Sequence, residues 1–95
     1  MSAQSTVKVA LAQINVTVGD ITGNAQRIVE TARRAHAQSA RLVLFPELSL
    51  CGYPPEDLLL RPAFMQACAD ALAGCARALA DLEGLHVVVG HPHQF

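Results

Sequence analysis

Residues 42–64 read LVLFPELSLCGYPPEDLLLRPAF. Leu42, Val43, Leu44 and Phe45 make a short apolar run suited to a buried strand, and Pro46 lacks the N–H needed to continue a central ladder. Glu47 is thereby delivered at the C-terminal edge of a strand. Ligands of open α/β sheets bind at that edge, which makes Glu47 a candidate catalytic carboxylate; on spacing alone, a solvated loop carboxylate accounts for it equally well. The residues after Glu47 favour a site. Gly52-Tyr53-Pro54-Pro55 is rigid and turn-forming, and Pro55-Glu56-Asp57 has the pattern of a helix start, with a helical turn expected over 56–60. A loop held that firmly beside a lone carboxylate suits the wall of a site. Tyr53, six residues after Glu47, reads either as a packed loop aromatic or as a phenol turned toward substrate.

Outward from this stretch, strand and helix patterns alternate. Residues 7–16 are mostly apolar with loose alternation, and Gly19-Asp20 and Gly23-Asn24 supply turn signals behind them. Asn24 is placed to cap a helix with an apolar stripe of Ala25, Ile28, Val29, Ala32 and Ala35. Arg27, Glu30, Arg33 and Arg34 take the other faces, with Glu30 and Arg34 as an i,i+4 pair. Arg61-Pro62 opens a second helix in which Phe64, Met65, Cys68, Leu72, Cys75, Ala76 and Leu79 share a face, and Gly84 closes it. Residues 85–90, LHVVVG, are nearly continuous in apolar residues, as in a strand covered on both sides. The fold class is therefore α/β, a β-α-β-α-β unit. Right-handed crossovers put both helices on one face of a parallel sheet and leave the other face for something else to cover. No repeat or linker divides the chain, which reads as one piece of a larger sandwich.

With 95 residues, 52% hydrophobic and only 16% charged, there is enough apolar material for a core. A net charge of -1, without a basic cluster interleaved with aromatics, argues against nucleic acid and anionic membranes as partners. The start, MSAQSTVKVA, lacks a signal-peptide pattern, and no apolar stretch approaches the ~20 residues of a membrane span, so a soluble cytoplasmic protein is expected. Cys68 and Cys75 lie on one helix face but are separated by roughly 10 Å of rise, too far for a disulfide, and read as core thiols. Cys51 has no His or Lys near it in sequence to stabilise a thiolate and reads as buried rather than nucleophilic. His91 and His93 have no third ligand nearby, and no metal site is assigned to them.

The tetrapeptide FPEL followed by Gly52-Tyr53 resembles the first motif of the nitrilase superfamily, whose members cleave carbon–nitrogen bonds in amides and nitriles. The continuation GYPPEDLLLRPAF, together with AQINVTVGDITGN at residues 12–24, is similar to the amino-terminal glutaminase domain of bacterial glutamine-dependent NAD+ synthetases. The similarity runs over residues 7–95, with Cys51 standing where that family more often has a small hydroxyl residue or Ala.

This resemblance implies an α-β-β-α sandwich, of which 1–95 is the N-terminal portion of the carbon-nitrogen hydrolase domain, the remainder of that domain and the synthetase domain being absent. It further implies a Glu-Lys-Cys triad in which Glu47 matches the Glu. As general base, Glu47 takes the proton of a cysteine thiol that attacks the glutamine side-chain amide. Such chemistry suits a sheltered pocket, where loss of water makes a carboxylate a better proton acceptor. The triad's Lys and Cys belong to downstream motifs; Lys8, Cys51, Cys68 and Cys75 do not match their contexts. The implied function is glutamine amide hydrolysis supplying ammonia for the ATP-dependent conversion of deamido-NAD+ to NAD+, with residues 1–95 inactive by themselves. Within the segment no cofactor is expected, ATP and Mg2+ belonging to the synthetase domain. Glutamine and deamido-NAD+ are the small-molecule partners, and the full-length protein is expected to be a homo-oligomer. Two other readings remain. One is a stand-alone amidase or carbamoylase of the same superfamily, without the pyrophosphate-binding loop of a synthetase. The other is a non-catalytic truncated module that packs against partners through exposed sheet edges and its uncovered apolar face.

Overall fold

Parallel strands need a crossover between them, and here each crossover is built around a seventeen-residue helix. The computed structural model describes residues 7–53 and 56–92. In chain order the elements are β1 (Val9–Leu11), α1 (Ile21–Ala37), β2 (Leu42–Leu44), a 3-10 helix (Glu56–Leu60), α2 (Pro62–Ala78) and β3 (His86–Val88). The strands form one parallel sheet in the order β1-β2-β3.

The register aligns three rows across the sheet: Val9, Leu42 and His86; Ala10, Val43 and Val87; Leu11, Leu44 and Val88. Because side chains alternate faces with period 2, the middle row points one way and the outer rows the other. Val43 is fully buried, with Ala10 and Val87 packed into the same cluster as Ile28, Ala32 and Ala35 of α1 and Cys68 and Cys75 of α2. Both helices thus cover the middle-row face. On the opposite face Val9 is 46% exposed, Leu11 73% and Val88 51%, so the described residues leave the sheet open there. The bare face expected from right-handed crossovers is present, whereas the coverage on both sides read from LHVVVG is not supplied by the described residues.

Five local readings need correction. Helix α1 starts at Ile21, not after Asn24, because the Asp20 carboxylate accepts from the Gly23 N–H at 3.1 Å and takes the capping role. Strand β1 is only three residues long, since its partner β2 ends at Leu44; residues 12–16 nevertheless keep alternating between exposed and half-buried positions beyond it. Helix α2 has Pro62 at its start as expected but ends at Ala78, with Leu79 as C-cap, and Gly84 (φ +75°) serves the later turn into β3. Along α2, Ala76 is exposed and Ala71 packs toward the core instead. The ion pair found among the described residues is Arg33–Asp81 at 3.4 Å rather than Glu30–Arg34, and both its side chains are well exposed, so it contributes little. The expected turn over 56–60 is the 3-10 helix, while the Pro54-Pro55 part of the predicted rigid loop lies outside the described residues. No helix among the described residues is long and apolar enough to cross a membrane.

Candidate active site at the end of the second strand

Strand β2 hands its pairing on for one residue after it formally ends. The Phe45 N–H donates to the Val88 carbonyl at 3.0 Å, Pro46 then has no N–H to offer, and the chain turns through residues 47–50. Glu47 is the first residue of that turn, at the C-terminal edge of the sheet, with its side chain exposed. Its position matches the sequence expectation; the sheltered pocket does not, since the described residues leave the carboxylate open to water.

The turn is rigid because its backbone is held from several directions. Within it, the Ser49 N–H donates to the Pro46 carbonyl (3.2 Å) and the Gly52 N–H to the Leu48 carbonyl (2.8 Å). Leu48 has φ +52°, a left-handed conformation that a branched side chain rarely takes and that only surrounding structure can enforce. On one side, the Leu50 N–H reaches the Gly90 carbonyl at 3.4 Å. On the other, Asn24 joins the turn to residues 17–20. Fully buried in α1, its Nδ2 donates to the carbonyls of Leu50 (3.1 Å) and Thr17 (2.8 Å), while its Oδ1 accepts from the Thr17 N–H (2.9 Å). The Gly19 N–H adds a bond to the Cys51 carbonyl at 2.9 Å. Gly52, at φ +83°, lies so close to this strap that a Cβ there would be 2.6 Å from Val18 Cα, and only glycine meets both conditions. Ser49 Oγ is buried without a hydrogen-bond partner among the described residues.

Tyr53, the other residue singled out, is 64% exposed and near Glu47 in sequence, with no hydrogen bond among those described that fixes its phenol. Lys8 is at the far end. Val9 pairs with the first residue of β2, so Lys8 precedes the N-terminal edge, more than about 10 Å along the strands from Glu47. Its Nζ donates to the Gln38 carbonyl at 2.7 Å. His91 Nδ1 lies 3.2 Å from the Pro92 carbonyl, His93 falls outside the described residues, and no His, Cys, Asp and Glu cluster among the described residues could hold a metal.

The cysteines behave as core. Cys51, Cys68 and Cys75 are buried and unpaired with one another. Burial pushes all three thiols up, Cys68 to about 11, where the nearby Cys51 adds a smaller repulsive contribution. A neutral buried thiol is a poor nucleophile. Raised values also set the sign for stability. The stabilisation is complete below the ordinary thiol value of 9.0 and is lost as the pH climbs through about 11. Stability is accordingly expected to decline across that alkaline window. At pH 8 a disulfide reagent should label the native chain slowly and the urea-unfolded chain fully; rapid labelling of Cys51 in the native state would contradict its core assignment.

Two contributors escaped the sequence reading. Asn24 was expected at a helix end, although an Asn one turn inside an apolar stripe is itself a signal of a buried polar tie. Gly90 carried only the meaning of a strand end.

The chain matches the carbon-nitrogen hydrolase family over residues 8–94. It is 48% identical over 88 residues to a glutamine-dependent NAD(+) synthetase of Xanthomonas campestris, an alignment covering 92% of this chain and 15% of that protein. Among solved structures it is similar to the glutamine-dependent NAD+ synthetase of Acinetobacter baumannii, determined with ADP, at a TM-score of 0.82 and 42% identity over 94% of this chain and 16% of that one. An amidase from Nesterenkonia sp. superposes with a TM-score of 0.74 at 31% identity, over 92% of this chain and 32% of the amidase. The chain spans about 15% of the length of the synthetases it resembles. With nearly its whole length inside the match, the Glu47 turn included, this chain belongs to the carbon-nitrogen hydrolase family.

Proposed function

We propose that residues 1–95 form the Glu-bearing part of a glutaminase site within a longer glutamine-dependent NAD+ synthetase. The observation that carries this reading is the Glu47 turn: a carboxylate at the C-terminal sheet edge, exposed, and fixed by backbone bonds that do not use the carboxylate itself. Glu47 is free to exchange protons with a neighbour brought to that edge. In the proposed reaction it takes the proton from a cysteine thiol supplied downstream of this segment, and the thiolate attacks the side-chain amide carbon of glutamine. A downstream lysine stabilises the oxyanion of the tetrahedral intermediate. Glu47 then returns the proton to the leaving nitrogen, ammonia departs, and the thioester is hydrolysed by water that Glu47 deprotonates. Residues from the rest of the domain provide the shelter that the described residues lack.

The ammonia is used, in this reading, to convert deamido-NAD+ to NAD+ in a synthetase part that takes ATP and Mg2+; no residue of this segment is assigned to either. The substrates are small and water-soluble, which fits a cytoplasmic enzyme, and any assembly is proposed to be a homo-oligomer, the commonest kind of soluble oligomer. A stand-alone amidase is the second reading, favoured by the superposition on the Nesterenkonia amidase. The two separate by isotope. When the complete polypeptide carrying residues 1–95 is given glutamine labelled with nitrogen-15 in its amide, deamido-NAD+ and ATP, the label is expected in the NAD+ carboxamide. Release of labelled ammonia from amides with no label in NAD+ would favour the amidase.

A further inference from the structure

We propose that Gly90, at the end of β3, is a positioning residue for Glu47: its missing side chain is the space that the Glu47–Leu48 peptide occupies. The inference rests on the reading of Glu47 as general base.

Three observations meet at this point. A Cβ built on Gly90 would lie 2.4 Å from Leu48 N and 3.1 Å from both Cα and the carbonyl carbon of Glu47. These are backbone atoms, so no side-chain rotation relieves the overlap; the peptide that carries the carboxylate has to move. Unlike Gly19, Gly52 and Gly84, Gly90 does not have a left-handed φ, so its own conformation does not call for glycine. The absence of a side chain is what the position requires. Finally, Leu48 is itself held at φ +52°, and the Leu50 N–H bonds to the Gly90 carbonyl. A left-handed residue without glycine's freedom persists only while its surroundings hold it, and Gly90 is the surface against which the peptide ahead of it rests.

The consequence is geometric. Strands β2 and β3 leave the sheet side by side, joined by the Phe45–Val88 bond, and the Glu47 turn folds back across the end of β3. A methyl group at position 90 lifts Glu47 Cα away from that end while the sheet below stays paired. General-base catalysis depends on hydrogen-bond reach to the thiol, and a misplacement of about 1 Å costs about 100-fold in rate.

The test is kinetic, in the complete polypeptide carrying residues 1–95. Gly90→Ala is expected to lower glutamine-dependent kcat by about 100-fold while the ammonium-dependent rate stays near wild type and the melting transition, though lowered, stays cooperative. Gly74→Ala, which adds the same methyl group on α2 where the nearest heavy atom is Arg77 Nη2 at 3.8 Å, should leave both rates unchanged. The double variant with Glu47→Gln decides how Gly90 acts. If Gly90 works through Glu47, adding Gly90→Ala to Glu47→Gln produces no further loss of the residual glutamine-dependent rate. Multiplying losses overturn the proposal, as does unchanged glutamine use in Gly90→Ala, or loss of both nitrogen sources together with the melting transition. If Glu47→Gln alone keeps full glutamine use, it is the general-base reading that fails, and the positioning proposal falls with it.

Discussion

Glu47→Gln, in a complete polypeptide carrying residues 1–95, is expected on the proposed glutaminase reading to reduce glutamine-dependent NAD+ formation at least about 100-fold while leaving ammonium-dependent formation intact. The substitution keeps size and shape and removes the ability to accept a proton. It also leaves the turn alone, because the bonds that hold residues 45–52 come from backbone groups and from Asn24, not from the Glu47 carboxylate. Glu47 is exposed, so no buried charge is lost and folding should be unaffected. Initial rates with each nitrogen source, together with a melting curve, check the split. Equal loss with both sources would make Glu47 a structural residue.

The second large effect is expected from Asn24→Ala, which should destabilise the hydrolase unit by about 2–4 kcal/mol. Asn24 is fully buried and makes three hydrogen bonds across two loops; truncation leaves the Leu50 carbonyl unpaired in the interior and the Thr17 N–H and carbonyl dependent on water. Asn24→Asp should not rescue it. A carboxylate retains the acceptor for Thr17 but turns negative charge on the two carbonyl oxygens that Nδ2 now serves. The measurement is the urea midpoint of the unit's unfolding transition, with amide hydrogen exchange at Gly19 and Gly52 reporting the strap directly. A shift below about 0.5 kcal/mol, the range of an ordinary surface change, would mean that the strap is not energetically coupled to the fold.

Much of the architecture was legible because hydrophobic period is a local property. Ile28, Ala32 and Ala35 announce one helix face, and the apolar runs around Val43 and Val87 announce strands, each without reference to the rest of the chain. The place of Glu47 at the strand end was legible for the same reason: Pro46 ends pairing by lacking an N–H, whatever surrounds it. The misreadings lie where a residue's role is decided by a distant partner. Asp20 and Asn24 are both good caps by type, and only the tie from Asn24 to Leu50, 26 positions away, decides that Asn24 goes inside the helix and Asp20 takes the cap. The extent of β1 was overread because residues 12–16 keep an alternating burial pattern; they stop being a strand because pairing with β2 ends at Leu44. Gly90 and Leu48 are 42 positions apart, and nothing in either residue's neighbourhood reveals that one backbone leans on the other.

The two anchors of the Glu47 turn also differ in when they can form. Asn24 precedes the turn in the chain, and Gly90 comes after it. A chain made from its N-terminus at ~5–20 residues per second has both Asn24 and Leu50 in hand ~2–8 s before residue 90 is added. Synthesis therefore makes the Asn24 anchor available before the Gly90 anchor. The order of synthesis thus sets the earliest moment at which each anchor of the Glu47 turn can form, β3 being made last.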